Sequence, residues 1–277
     1  MHGLGMKSLQ PERIRPHIGV KLYKYRSLST QDEQNRVADM ITNNRVFFAG
    51  RQMFNDPFDC HIPISWKVTR EELIGKLKSV YREEGSPVPA GSVEQYVAER
   101  IADGTIDELI STDIGHKGVD AVLNKFGVFC LSEKPNDILM WAHYADCHRG
   151  ICIEFEVNKD SFFWDALPVI YREVYPNLKA TMSTQELADG LFRTKSNHWK
   201  YEKEWRIIGP CVGLEEFSAR CLTGVILGCH ILPDVEKSLL ALLSKKGLPI
   251  KVHRAKKSED HFGVNIAPIE TVSTPIL

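Results

Sequence analysis

The segment GICIEFEV, residues 150–157, places the firmest constraint on the fold. Its apolar residues alternate with less apolar ones: Ile151, Ile153, Phe155 and Val157 occupy one set of positions and Cys152, Glu154 and Glu156 the other. A period of two residues is typical of a β-strand, whose successive side chains point to opposite faces. An apolar strand face has to be covered by other elements, so the pattern predicts a sheet with a packed core.

Further strand patterns lie on both sides of this segment, and helical patterns separate them. The strand candidates are LYKYR, RVFFAG, FGVFCLSE, ALPVIYREV, EWRIIG, TGVILGCHI and LPIKVHRAKK. Helices are predicted after Ser29 or Thr30, after Ser183 or Thr184, and in PDVEKSLLALLSKKG, where Pro occupies the first turn. We therefore predict an α+β fold with a mixed, mostly antiparallel sheet core and a C-terminal strand-helix-strand unit.

The chain is expected to hold one domain with an arm and an insert. Residues 1–19 contain Gly, Pro and charged residues without periodicity, so we expect a flexible N-terminal arm followed by a single domain over 20–277. Residues 69–125 are densely charged and are interrupted by SPVPAGS. Because TREELIGKLKSVYREE spaces its apolar residues for an amphipathic helix, this segment is predicted to be a helical insert over the core.

Composition and charge exclude several classes of protein. Lys and Arg number 35 against 36 Asp and Glu, so the formal net charge is −1 and no overall field favours nucleic acid or an anionic membrane. No apolar run approaches the ~20 residues of a membrane span, and the first residues lack a signal-peptide core. The seven cysteines form no CxxC pair. We expect a cytoplasmic protein whose thiols are free.

The segment DILMWAHYADCHRG, residues 137–150, concentrates residues that can meet a ligand. A short helix over its first part would set Trp141 and Tyr144 on one side, with His143 and Arg149 nearby. His143 and Cys147 are four residues apart and could share a metal on a helix. HExxH and paired CxxC motifs are absent, so an ordinary helix end is favoured and no metal is expected. GxGxxG and GxxxxGK[ST] loops are absent as well.

The segment YEKEWR, residues 201–206, brings two carboxylates close together. On a strand, Glu202 and Glu204 would point to one face, where their repulsion raises the pKa of one of them. Trp205 and Arg206 follow directly, and aromatic residues among carboxylates are common in ligand clefts. The alternative is a solvated edge strand whose glutamates pair with lysines.

The segment FNDPFDC, residues 54–60, combines a strong turn signal with three polar side chains. Asn and Asp bond to their own backbone and Pro fixes φ, so a turn is predicted at Asn55-Asp56-Pro57. Asn55, Asp56 and Asp59 could contact a ligand or could cap a neighbouring helix. The structural role is favoured.

Taken in order, several phrases resemble a known family. LYKYRSL, RVFFAGRQMFNDPFDC, FCLSEKPNDILMWAHYADCHRGICIEFEV and YEKEWRII follow one another between residues 21 and 208. Together they resemble the bacterial family DUF2971, a domain of unknown function. The phrases FNDPFD, MWAHYA-x-x-H-x-G and YEKEWR carry the likeness, which implies no activity.

The layout is also similar to that of the ADP-ribosyltransferase superfamily. Those proteins carry an Arg or His on the first strand, a Ser or Tyr on a central strand or the helix after it, and a Glu late in the chain. Arg26 matches the Arg or His of the first strand, and Ser132 or Tyr144 matches the Ser or Tyr. Glu204, with Glu202 two residues before it, matches the late Glu. The match departs from the pattern in that no Ser-Thr-Ser triplet follows Ser132.

This resemblance implies that the chain uses NAD as a substrate. Arg26 would bind the pyrophosphate with a charge-assisted fork, and Tyr144, Trp141 or Trp205 would stack on nicotinamide. Glu204 would stabilise the oxocarbenium-like ribose, and Glu202 would orient an acceptor of unknown class. The hypothesis requires Arg26 and Glu204 to meet at one pocket, and it fails if they lie on opposite faces of the sheet.

Two other functions remain open. The chain could be a non-catalytic ligand-binding or sensor module, in the setting of a phage-defence or toxin system. It could also be a hydrolase that uses Asp56 or Asp59 with His143, which would then lie within hydrogen-bond reach of one another. In every case the cleft is predicted to be formed by the FNDPFD loop, the MWAHYADCHRG segment and YEKEWR.

Overall fold

The computed structural model describes residues 20–67, 69, 71–72, 75–76, 93–105, 119–157 and 160–269. The predicted N-terminal arm, residues 1–19, lies outside the described residues. Most of the predicted helical insert, residues 69–125, lies outside them too. Of the insert, one helix at Val93–Ala102 is described, together with helical residues at 71–72, 75–76 and 119–123.

The described strands and helices follow the order predicted from the sequence. The strands are β1 Lys21–Arg26, β2 Arg45–Gly50, β3 Ile64–Ser65, β4 Gly127–Ser132, β5 Ile151–Glu156, β6 Leu167–Pro168, β7 Ile170–Arg172, β8 Leu178–Lys179, β9 Thr194–Ser196, β10 Glu204–Gly209, β11 Gly213–Glu216, β12 Leu222–Leu227, β13 Lys251–Lys257 and β14 Val264–Pro268. The helices are α1 Gln31–Asn43, α2 Val93–Ala102, α3 Ile138–Tyr144, α4 Thr184–Arg193 and α5 Pro233–Ser244.

Local sequence signals account for the helix starts. Thr30 caps α1 and Ser183 caps α4, each in a capping box with the Glu three residues later. The carboxylate of Asp137 accepts hydrogen bonds from the backbone N–H groups of Leu139 and Met140 at the start of α3. These caps satisfy amides that have no partner within the helix, so three predicted helices begin where the sequence indicates.

Ten of the described strands form one mixed sheet. Its order is β11-β2-β4-β1-β5-β12-β13-β14, with β10 paired to β4 and β6 paired to β10. Every pairing in this sheet is antiparallel except β12 with β13, which α5 connects as the predicted strand-helix-strand unit. The prediction of an α+β fold with a mixed, mostly antiparallel sheet is confirmed.

The two faces of the sheet are covered differently. One face packs against α1 and α5 and forms the largest apolar cluster, which includes Phe129, Ile153 and Ile207. The other face carries two smaller apolar clusters, one beneath α4 and one beneath α3. β5 is buried on both faces: Cys152 and Glu154 are shielded as well as the apolar residues that alternate with them.

Candidate functional site

The candidate site is a cleft where two strands separate along β4. β10 pairs with β4 over its whole length, so β1 and β2 have to share the other edge of β4. β1 pairs there only at Ser132, and β2 pairs only at the opposite end of β4, near Gly127. Between these points the Cys130 carbonyl accepts a hydrogen bond from Lys24 Nζ at 2.7 Å. In this gap the Lys24 side chain therefore supplies the hydrogen bond that a neighbouring strand would otherwise donate to β4.

The gap widens into a cleft of about 260 Å³ that opens to solvent. This volume is near the lower end for small-molecule sites, so the cleft suits a small ligand or one part of a larger one. It brings together seven of the predicted site residues: Arg26, Asn55, Asp59, Ser132, Tyr144, Glu202 and Glu204. β1, β4, the FNDPFD loop, α3 and the YEKEWR segment all contribute to its walls.

Three carboxylates meet at a buried lysine at one end of the cleft. Lys195 Nζ lies 2.5 Å from Glu202 Oε2, 2.9 Å from Glu204 Oε2 and 3.3 Å from Asp59 Oδ2. Its side chain also lies over the ring of Trp199, 5.2 Å from the centroid. Burial of an ammonium requires such compensation by anions.

Arg206 completes this buried cluster. Its guanidinium donates to both carboxylate oxygens of Asp59, at 2.9 and 2.7 Å, and to both of Glu204, at 2.8 and 2.9 Å. The side chain has no solvent exposure. We call Asp59, Lys195, Glu202, Glu204 and Arg206 the ion cluster. With all five groups ionised its formal charge is −1.

The two glutamates converge through a turn and not through a strand, which corrects the sequence prediction. Glu202 ends a 3₁₀ helix, Asn197–Glu202, and Glu204 begins β10. Lys203 between them is left-handed, with φ of 47°, and Cys60 after Asp59 has φ of 59°. Non-glycine residues pay a steric cost there, so local strain is concentrated beside the ion cluster.

The ion cluster shifts the pKa values of its members in different directions. Burial raises the pKa of Glu202, although Lys195 opposes the shift. Burial also opposes ionisation of Glu204, but Arg206 and Lys195 outweigh it and hold the pKa of Glu204 well below its usual range. Of the two glutamates, Glu202 is consequently the one that takes up a proton at the higher pH.

Tyr144 connects this end of the cleft to Glu202. Its hydroxyl donates to Glu202 Oε1 at 2.6 Å, while Lys195 holds the other oxygen of the same carboxylate. Burial, followed by the charge of Glu202, raises the pKa of the Tyr144 phenol. The tyrosine stays protonated at neutral pH and acts as a hydrogen-bond donor.

Three cationic side chains, Lys24, Arg26 and Arg36, line the same cleft. The charge of Arg36 acts on Arg26, whereas the charges of the two glutamates act on Lys24. We call the part of the cleft at Arg26 and Arg36 its cationic end. Burial and then Arg36 lower the pKa of Arg26 to about 10, and its Nε is shielded without a hydrogen-bond partner among the described residues. An unsatisfied buried donor is costly, which makes this end suited to an anion.

The register of the sheet bears on the requirement that Arg26 and Glu204 share one face. Arg26 pairs with Ile151 of the face beneath α1, whereas Glu204 pairs with Ser132 and points to the other face. By strand register the two residues therefore leave the sheet on opposite faces, so the transferase hypothesis fails in the form that pairs Arg26 with Glu204. Both residues nevertheless line the cleft at the gap between β1 and β2.

Ser132 lines the cleft but its hydroxyl is already bound. It donates to the Glu202 carbonyl at 2.6 Å and accepts from the backbone N–H of Lys134 at 3.1 Å. Ser132 is almost fully buried. Its position therefore indicates an anchor for the YEKEWR turn.

Six predicted ligand contacts do not line the cleft: Asp56, Trp141, His143, Arg149, Trp205 and Arg206. Trp141 is fully buried on the inner side of α3, where it packs edge-on against Tyr25 and donates to the Pro135 carbonyl. Trp205 alternates with Glu204 along β10, so it points to the other face and donates to Glu133. Arg149 is exposed and pairs with Asp146. Arg206 is held inside the ion cluster and is not exposed to a ligand.

The residues of the hydrolase hypothesis do not come together. Asp56 accepts a hydrogen bond from Trp199 Nε1 at 2.7 Å, and Asp59 binds Arg206. His143 is exposed on α3 and contacts the rings of Tyr144, Trp199 and Tyr201. Within the described residues no hydrogen bond joins these three side chains, so the geometry gives the hydrolase no catalytic pair.

Sequence reasoning missed two lysines of the site. Lys195 lies in RTKSNHWK and Lys24 in LYKYR. In both segments the lysine has the sequence context of an ordinary surface residue. Lys24 carried one usable signal, because it interrupts the alternation of β1 at a site that the structure leaves half-buried. Lys195 carried none, since its role depends on three carboxylates that are distant in sequence.

The described part of the chain contains neither a cluster of side chains suited to a metal ion nor a membrane-spanning helix. No group of three or more His, Cys, Asp or Glu side chains there is arranged to hold a metal ion. Among the same residues no helix has the length and apolar character needed to span a bilayer. All seven cysteines are free thiols.

Comparison with known proteins yields one match. The model of a family described as "Protein of unknown function (DUF2971)" matches residues 140–207. The matched segment includes Tyr144, Lys195, Glu202, Glu204 and Arg206, and it excludes Arg26, Asp59 and Ser132. No curated protein and no solved structure matches the chain.

Proposed function

We propose that the cleft binds a nucleotide-type anion, that this ligand is NAD, and that the chain transfers ADP-ribose from it. The observation that carries the proposal is the presence of both signs of charge in one cleft. Arg26, Arg36 and Lys24 line it together with Tyr144 and the carboxylates. NAD has the matching polarity, because it joins a pyrophosphate to a ribose at which positive charge develops when nicotinamide leaves.

The cationic end is the proposed pyrophosphate site. Arg26 offers a shielded Nε without a partner among the described residues, and Arg36 is exposed at the same end. A phosphate oxygen would accept from this donor and remove its cost. The cleft volume of about 260 Å³ would hold the nicotinamide half, with the remainder of the dinucleotide at the open mouth.

The carboxylate end is the proposed reaction site, and Glu202 is its principal group. Both oxygens of Glu204 are bound by Arg206 and Lys195, so Glu204 is largely neutralised. One oxygen of Glu202 accepts a hydrogen bond from the neutral Tyr144 hydroxyl, and displacement of the Tyr144 side chain would expose this oxygen to the ribose. We therefore assign to Glu202 the stabilising role that the superfamily resemblance gave to Glu204.

Nicotinamide release from labelled NAD tests this assignment. We expect release by the wild type and a loss of about 100-fold or more in Glu202→Gln, by analogy with the removal of a charge-stabilising group. Arg26→Met should raise the NAD concentration needed for half-maximal rate. Arg149→Met is the matched control, because Arg149 is an exposed arginine outside the cleft. Absence of release from the wild type with protein, nucleic-acid and small-molecule acceptors would contradict the transferase.

A second candidate is a non-catalytic binding or sensor module, as in a phage-defence or toxin system. The closed pairing of Glu204, Arg206 and Asp59 favours it, because these charges are satisfied without a ligand. Calorimetric titration with NAD separates the two candidates. Binding that Arg26→Met weakens and Glu202→Gln leaves unchanged, without any turnover, would support the binding module.

A further inference from the structure

We infer that Lys24 is a nucleophilic lysine that forms an imine with phosphate-bearing aldehydes entering the cleft. Two lysines line this cleft, and their surroundings differ. Lys195 is held by three carboxylates. Lys24 makes no ion pair among the described residues, and its Nζ donates to the Cys130 carbonyl at 2.7 Å.

The position of Lys24 Nζ explains why it has no ionic partner among the described residues. The side chain leaves β1 at the gap beside β4 and lies over the ring of Phe129, 5.1 Å from the centroid. A carbonyl and an aromatic ring take up one side of the amine, and the cleft lies beside it. A neutral amine can keep one N–H on the carbonyl and still offer its lone pair to an electrophile.

The charges around Lys24 favour this neutral form. Burial is the largest cause, and the neighbouring Arg26 adds to it, so the pKa of Lys24 falls to about 8. Cys130 on β4 and the carboxylates of Glu204 and Glu202 act in the opposite direction without forming an ion pair with Lys24. Desolvation and an adjacent cation are the conditions under which lysines become nucleophiles near neutral pH.

The same neighbourhood selects the electrophile. Arg26 and Arg36 stand at the cationic end of the cleft and would hold an anionic group of the ligand. An aldehyde on that ligand would then lie near Lys24. An aldehyde with a phosphate group has both the anion that the arginines would bind and the carbonyl that the lysine would attack. An uncharged aldehyde has only the carbonyl.

The reaction balances without an oxidant or a reductant. The Nζ lone pair attacks the carbonyl carbon, the C=O π electrons move to oxygen, and proton transfer produces a carbinolamine. Loss of water from the carbinolamine forms the C=N bond. This inference shares the cationic end with the proposed function but requires neither NAD nor the glutamates, so the two can fail separately.

Pyridoxal 5′-phosphate is a suitable probe because it carries an aldehyde and a phosphate. The wild-type chain is incubated with the probe at pH 7.5, treated with borohydride to reduce any imine, digested and analysed by mass spectrometry. Lys21 is the internal control, because it lies on the same strand and pairs with Glu154 at 2.9 Å. We expect Lys24 to be labelled about tenfold faster than Lys21, because burial without an ionic partner favours the neutral amine of Lys24, whereas Lys21 is paired with a carboxylate.

Two comparisons sharpen the result. Pyridoxal without phosphate should label Lys24 more slowly, and inorganic pyrophosphate should protect Lys24 but not Lys21. Lys24→Arg should remove the cleft adduct while labelling of Lys21 persists. Equal labelling of the two lysines in the wild-type chain would overturn the inference, and this comparison requires no variant to fold.

Discussion

The two faces of β10 are buried by different interactions, apolar packing on one and ion pairing on the other. Ile207 points into the apolar cluster beneath α1 and α5, whereas the adjacent Arg206 points into the ion cluster and is equally shielded from water. The apolar face gains stability from each group removed from water. On the charged face, the attraction between the ionised groups roughly offsets the free energy needed to remove them from water. Buried ion pairs therefore seldom stabilise a protein more than apolar residues of the same size would. The difference shows that a single strand can contribute apolar packing on one face and a defined arrangement of charges on the other.

Removal of Arg206 should produce the largest effect. Arg206→Met leaves Asp59 and Glu204 without their main partner, so we expect the free energy of unfolding to fall by about 3–5 kcal/mol. Denaturant titration measures the loss.

Neutralising the partners separates the charge effect from lost packing. Arg206→Met combined with Asp59→Asn and Glu204→Gln should recover part of the stability that Arg206→Met loses. A triple variant less stable than the single one would show that the guanidinium contributes by packing and not by compensating charge.

The apolar face should respond to truncation by a different mechanism. Ile207→Ala is expected to cost about 2–4 kcal/mol through lost burial and a cavity. Because Ile207 faces away from the cleft, NAD binding and Lys24 labelling should stay unchanged at temperatures where the variant is folded. A change in either property would mean that the two faces of β10 are coupled.

Lys24 should make the stability of the fold depend on pH in a defined direction. Its pKa is about 8 in the folded chain and 10.5 as the ordinary value, so the folded state disfavours the protonated form. This penalty is complete below pH 8 and disappears as the pH rises towards 10.5. Lys24→Met should therefore be more stable than the wild type at pH 7, with a difference that shrinks between pH 8 and 10.5. Parallel stability curves for the two proteins would refute the pKa shift.

The smallest expected effect concerns the strained turn between the glutamates. Lys203 has φ of 47°, so Lys203→Gly should relieve strain and raise the free energy of unfolding by up to about 1 kcal/mol. Lys256→Gly in β13 is the control, where added backbone freedom should instead lower stability. Thermal denaturation of both variants tests the contrast, which vanishes if the turn stores no strain.

Much of the fold could be predicted because its signals are local. The capping box of Thr30 with Glu33 and the alternation of β5 both act over a few residues, and both are confirmed. The predicted strand through Glu202 was wrong, because a left-handed residue at Lys203 produces the same convergence by another route. Trp141 was misassigned for a related reason: an aromatic residue on a short helix has the same pattern whether it faces a cleft or the core.

The sequence by itself determined the order of strands and helices, the helix starts and the set of polar segments that meet, since these depend on short-range chemistry. Only the tertiary structure decided which of those polar side chains are bound to one another. Lys195 acquired its three carboxylates from the FNDPFD loop and YEKEWR, and Lys24 acquired its role from a gap between β1 and β2. Such contacts depend on strand order and register, which join residues too far apart for any local pattern to record.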